Sequence, residues 1–288
     1  HSFSRRQRQM CIRDRLTSKS KKKNLPWNRD TSVSNGQPAQ GFTINTGVNE
    51  TYNEAPVSPK EVKREIKVTD RDIGVLFPSL LFKSRVSDRD FLNEVKEKVL
   101  KAAKDPTMGT PAGKPDDPIG WYSFDDLHQK EGFEDVHDFL LRESASVFQY
   151  YDYKVEQVYL TAMWANVGYN PYYCHMNHTH PNSLFSGVWH VSVPNVGTQY
   201  AQTTTFSDPR PAARVIEPNV NKDFAAHNSG TVSPIVKNGS LLMFPSWLPH
   251  GVQQQSVADY QGTPRITISF NAMMVGSIDT RTAPIRFT

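Results

Sequence analysis

At 288 residues the chain has room for one large domain or two small ones, but a mean hydropathy of −0.57 leaves too little apolar material to pack all of it. The net charge of +4 is equally uneven: nine basic residues and one acid among the first 24 carry +8 of it, which leaves −4 on everything after. The later part therefore has no basic surplus to recommend nucleic acid as a partner. No run of about 18 apolar residues exists for a membrane span, the N-terminal stretch lacks the apolar core of a secretory signal, and two distant cysteines, Cys11 and Cys174, are no disulfide framework. A cytoplasmic, reducing setting is the expectation.

Taken in order, the run Arg5–Arg15 resembles a translated sequencing-adapter artefact, and the chain starts without Met, as a fragment would; residues 1–24 are kept out of the fold reasoning. Residues 25–65 are polar, with scattered Asn, Thr, Gly and Pro, so 1–65 reads as tail and linker and 66–288 as one domain. A strand is expected across Val75–Val86, then a helix capped by Ser87 or Asp88, with Phe91, Leu92, Val95, Val99 and Leu100 on its buried face. The Pro- and Gly-rich stretch 105–120 reads as a loop. A second helix over about 134–150 should bury Val136, Phe139, Leu140, Val147 and Phe148.

From Tyr153 the pattern changes to strands: Val155–Val167, Val188–Val193, Thr203–Phe206, Val232–Val236, Ser240–Phe244 and Arg265–Ala272. The long segment 195–231 is a candidate lid or a surface loop. Helices followed by a run of strands indicate an α+β chain whose strands close as a sandwich or small barrel.

Four of the nine histidines fall between positions 175 and 190: His175, His178, His180 and His190. On an extended strand His178 and His180 point to one face and can reach one metal ion. His250 follows another strand, and Arg265 heads the last one. Paired ligands, one distant His and a final Arg suit a non-haem iron(II) site. Three ligands on one face leave positions open for a bidentate co-substrate and O₂. The Arg265 fork would grip the far carboxylate of 2-oxoglutarate, with Thr267 two residues on adding a hydroxyl. Set against this, a His-x-His pair often does no more than hydrogen-bond locally. His175 and His190 read as structural or solvent-exposed, and Cys174 reads as a buried thiol.

The residues also resemble a known family. Trp164-x-Asn166, His178-x-His180-Pro181-Asn182-Ser183, Ser186-Gly187-Val188, Phe206-Ser207-Asp208-Pro209-Arg210, Phe244-Pro245-Ser246-Trp247-Leu248-x-His250 and Arg265-x-x-Ile268-Ser269-Phe270-Asn271 look like the signature blocks of 2-oxoglutarate/Fe(II) oxygenases of marine bacteria and their phages. The resemblance, over about Val155–Met273, implies a double-stranded β-helix (jelly-roll, cupin-like) core with N-terminal flanking helices. It implies Fe(II) on His178, His180 and His250, 2-oxoglutarate on Arg265 with Thr267 and Asn166, and an oxidoreductase that hydroxylates or oxidatively demethylates its substrate. Trp164, Asn182, Asp208, Arg210 and Trp247 become candidates for substrate contact or support. One departure stands out: the wider superfamily carries Asp or Glu where this chain has His180, so Asp208 or His175 remains an alternative third ligand. Two rival readings follow: a three-His cupin-type dioxygenase that uses no 2-oxoglutarate, and a non-catalytic jelly-roll binding or phage structural module.

Overall fold

The structure is a computed structural model and describes residues 72–114, 116–194, 203–210, 212, 215–216, 227–254, 260, 262–278 and 285–287. The expected tail over 1–65, the expected domain start at 66 and most of the 195–231 segment lie outside them. All elements below belong to the compact unit that includes Pro78–Thr288. Among the described residues no helix is long and apolar enough to cross a membrane.

The first strand, β1, covers only Phe82–Arg85. Its expected start at Val75 is corrected: Val75, Leu76 and Phe77 are exposed, and ladder pairing begins at Phe82 opposite Met243. Helix α1 (Arg89–Ala102) starts where Asp88 accepts hydrogen bonds from the backbone N–H groups of Asp90 and Phe91, satisfying donors that the first helical turn leaves open. Leu92, Val95 and Val99 form its buried stripe, flanked by half-buried Phe91 and Leu100.

A hairpin replaces the loop expected over 105–120: β2 (Gly109–Lys114) pairs with β3 (Asp117–Ser123). Proline misled the reading because β2 is the outermost strand of its sheet, and an edge strand tolerates a missing N–H. Gly109 is needed there, since a Cβ would stand 2.5 Å from the Trp121 ring. Helix α2 spans Glu134–Tyr150 as expected.

The remaining strands are β4 (Gln157–Gly168), β5 (His175–His178), β6 (Phe185–Ser192), β7 (Thr204–Ser207), β8 (Thr231–Val232), β9 (Ser240–Pro245), β10 (His250–Val252), β11 (Arg265–Ile278) and β12 (Ile285–Phe287). An eight-stranded sheet runs β1-β9-β6-β11-β4-β3-β2, with β12 beside β11, and a four-stranded sheet runs β5-β10-β7-β8. Between β4 and β11 the chain sends β4, β6, β9 and β11 to the large sheet and β5, β7, β8 and β10 to the small one. Antiparallel strands shared in this way between two packed sheets make a double-stranded β-helix. Phe206 of β7 meets Phe244 of β9 edge-on at 4.9 Å across the interior.

Strand alternation divides the large sheet into two faces. Met163, Ala165 and Val167 of β4, Trp189 and Val191 of β6, and Ile266, Ile268 and Phe270 of β11 join the helices in one core, where Phe91 stacks on Trp189 at 5.7 Å. The intervening residues face the small sheet. Those of β4 and β11 are Trp164, Asn166, Arg265, Thr267 and Ser269, and they line the pocket.

Candidate metal centre

His178 closes β5 and His250 opens β10, and the two residues are direct partners in an antiparallel pair. Their ring centroids lie 4.6 Å apart, the spacing of facing side chains across such a ladder. The expectation that His178 and His180 share one strand is corrected: β5 ends at His178, and His180 sits two residues beyond it. A backbone hydrogen bond from the N–H of His180 to the carbonyl of Ser246 at 2.9 Å holds it instead, and its ring stacks on Trp164 at 5.6 Å. The His180 and His250 Nε2 atoms are 3.2 Å apart, and ligand nitrogens of all three histidines lie within 4.8 Å of one another.

Backbone carbonyls orient two of these rings. His178 Nδ1 is 2.7 Å from the carbonyl of Met176, and His250 Nδ1 is 2.9 Å from that of Leu248. A carbonyl only accepts, so each Nδ1 carries the hydrogen and each Nε2 keeps its lone pair for a cation. The Ser246–His250 turn is itself pinned by buried hydroxyls. Ser246 Oγ lies 2.8 Å from Ser186 Oγ and 3.1 Å from Ser183 Oγ, and Ser186 donates to Asn271 Oδ1 at 2.9 Å.

The facing wall is set by register on β11: Arg265 opposite Gly168, and Thr267 opposite both Asn166 and His190. Arg265 is 2% and Thr267 1% exposed. The pocket lies between these two walls and opens at its mouth to solvent. No carboxylate lines it among the described residues.

Residues 162–271 match the sequence profile of a family described as "Putative 2OG-Fe(II) oxygenase", a span that holds the three histidines and the facing wall. That segment belongs to the 2-oxoglutarate/Fe(II) oxygenase family. Over that span the chain is therefore similar to iron- and 2-oxoglutarate-dependent oxygenases. No curated protein matches it. Solved structures that resemble it include a Pseudomonas putida prolyl-4-hydroxylase (14% identity, 69% of this chain and 94% of that one, TM-score 0.44). Two enzymes of nogalamycin biosynthesis also resemble it: the α-ketoglutarate-dependent epimerase SnoN (12%, 68% and 79%, 0.46) and the carbocyclase SnoK (10%, 68% and 80%, 0.48).

The donor set of this oxygenase domain fits a divalent ion. Burial, with the neighbouring His178, pushes the His250 imidazole down to about 4, so it is neutral at physiological pH, as a ligand must be. Imidazole nitrogens sharing one ion at ~2.1 Å stand no more than ~4.2 Å apart, and a slight ring rotation spans the difference from the observed limit. Burial lowers the Arg265 guanidinium to about 10, which leaves it cationic at neutral pH.

The other sequence candidates divide. Asn166 is buried in the pocket wall, 3.4 Å from Ser269 Oγ. His175 lines the pocket but stands outside the cluster of three. Asp208 does not replace His180 here: it pairs with Arg210 at 2.7 Å in a local turn. Asn182 is an exposed turn residue at φ 61, and Trp247 is 55% exposed. Neither they nor Asp208 and Arg210 line the pocket.

Near Arg265, Tyr173 and Tyr260 escaped the sequence reading, and His190 was read there only as structural or solvent-exposed. The Tyr173 ring lies against Gly120 and Gly168, where a Cβ would come within 2.4 and 3.0 Å of it, and its hydroxyl is 3.4 Å from Asn166 Oδ1. Tyr260 is 2% and His190 0% exposed, which excludes the solvent-exposed reading of His190. No local pattern marks the tyrosines. His190 carried one signal, its even spacing from Val188 along β6.

Proposed function

We propose that the domain binds one iron(II) ion through His178, His180 and His250, and that Arg265, with Thr267 and Asn166, holds the far carboxylate of 2-oxoglutarate. We assign the reaction as hydroxylation or oxidative demethylation of an organic substrate. One observation carries this reading: three imidazoles converge on one wall while a buried guanidinium stands on the wall opposite, so a dianion with an oxo-acid head and a carboxylate tail bridges the two.

When bound, iron(II) with 2-oxoglutarate supplies the oxidising chemistry for an unactivated C–H bond. The chain does the positioning. Met176 and Leu248 carbonyls keep Nε2 of His178 and His250 aimed at the ion. The Trp164 indole, stacked on His180, excludes water from one side of that ring. Three neutral imidazoles leave the ion's charge uncompensated, so the site is suited to an anionic partner. Thr267 offers a hydroxyl on the same strand face as Arg265.

The test is anaerobic titration with Fe(II) and then 2-oxoglutarate, followed by O₂. Saturable uptake of both, then one succinate formed per O₂ consumed, is the expected result. The absence of a carboxylate among the three clustered residues favours one second reading, a three-His dioxygenase that uses no 2-oxoglutarate. Iron-dependent O₂ uptake without succinate would establish that reading in place of the first.

A further inference from the structure

We propose that His190 and Tyr260 stand beside Arg265 as second and third donors of a buried carboxylate receptor, which selects the co-substrate by its tail; this refinement rests on the function proposed above. Both ring nitrogens of His190 and the hydroxyl of Tyr260 are fully buried without a hydrogen-bond partner among the described residues. A folded protein keeps few such groups, because each forfeits its hydration with nothing in return. These two sit around the same guanidinium, whose charge acts on both.

The backbone explains why they meet. His190 is the cross-strand partner of Thr267, and strand alternation turns it to the face that Val188 presents to the pocket. Two residues on, Ser192 Oγ donates to the carbonyl of Pro264 at 2.9 Å, tying β6 to the residue before Arg265. Tyr260 opens the turn that leads into β11, its carbonyl accepting from Thr263 N–H at 3.0 Å.

The chemistry selects the ligand. Burial and the Arg265 cation keep His190 neutral, so its ring has one N–H to give. The phenol has one O–H, and the guanidinium only donates. An acceptor with several lone pairs and a negative charge satisfies all three, and a carboxylate is such a group. A cation would be repelled, and an uncharged tail would leave hydrogens unplaced.

Tyr260→Phe and His190→Leu test this by calorimetry on anaerobic Fe(II)-loaded protein, with 2-oxoglutarate and with pyruvate, which shares the oxo-acid head but has no far carboxylate. Each variant should bind 2-oxoglutarate roughly tenfold or more weakly, as for loss of a hydrogen bond to a charged group. Pyruvate affinity should not change. The metal-free Tm should hold or rise, since an unpaired buried group has been removed. Unchanged 2-oxoglutarate affinity overturns the proposal, as does an equal loss for both ligands with a lowered Tm, which marks a purely structural role. Wild-type protein that ignores 2-oxoglutarate would instead sink the function on which the refinement stands.

Discussion

His250 occupies the most constrained position of the three clustered histidines: 7% exposed, faced by His178 across the ladder, and met edge-on by Phe244 at 4.5 Å. His250→Ala should therefore weaken metal binding by more than the roughly 10- to 100-fold typical of losing an outer partner, read by metal content after gel filtration. Arg265→Lys should keep the metal but weaken 2-oxoglutarate, because one ammonium does not reproduce a bidentate fork; calorimetry with both ligands separates the two effects. His190 makes a prediction about acid. In the folded chain it stays well below its ordinary 6.5, while in the unfolded chain it protonates near that value. The unfolded state thus takes up more protons as pH falls, and stability is lost below about pH 6.5, at up to ~1.4 kcal/mol per pH unit for one such group. His190→Leu should flatten that part of a urea-denaturation pH profile. His250, held at about 4, contributes to the same slope in metal-free protein and would remain.

At the scale of elements, regular periodicity was legible and short pieces were not. Helices α1 and α2 carry apolar residues at spacings of three and four and were legible, α2 with its bounds and α1 with its cap narrowed to Ser87 or Asp88, of which Asp88 serves. Asp88→Ala should cost ~1 kcal/mol by removing that cap, measurable in urea with an unchanged m-value. Strands β5 and β10, the two that present His178 and His250, have four and three residues. Segments this short hold no period to read, and they exist because they pair with each other and β10 pairs on its other side with β7. Gly187 shows a constraint of the same non-local kind: a Cβ there would stand 2.3 Å from the Phe270 ring on the neighbouring strand. Gly187→Ala should destabilise by ~1–3 kcal/mol through overpacking, again by denaturant titration.

For the molecule as a whole, the candidate ligands and the candidate anchor sit on different sheets. His178 and His250 belong to the small sheet and Arg265 and Thr267 to the large one, so a co-substrate held at both ends links the two layers. Fe(II) with 2-oxoglutarate should accordingly stabilise the folded chain more than Fe(II) alone. The gain expected at a ligand concentration of 100 Kd is ~2.7 kcal/mol, read as a shift in Tm that a chelator reverses and that Arg265→Lys diminishes.

By itself the sequence determined the residue chemistry and its order: helices, then alternating strands, with His178, His180, His250 and Arg265 spaced along them. These follow from side-chain identity and local period, which are written along the chain. Only the tertiary structure decided that Pro111 sits in an edge strand, that Asp208 turns to Arg210, that His180 is held by Ser246 rather than by a strand, and that Tyr173, His190 and Tyr260 gather around Arg265. Each of these depends on which backbone lies beside which, and register between strands far apart in sequence is set by cooperative packing of the whole barrel.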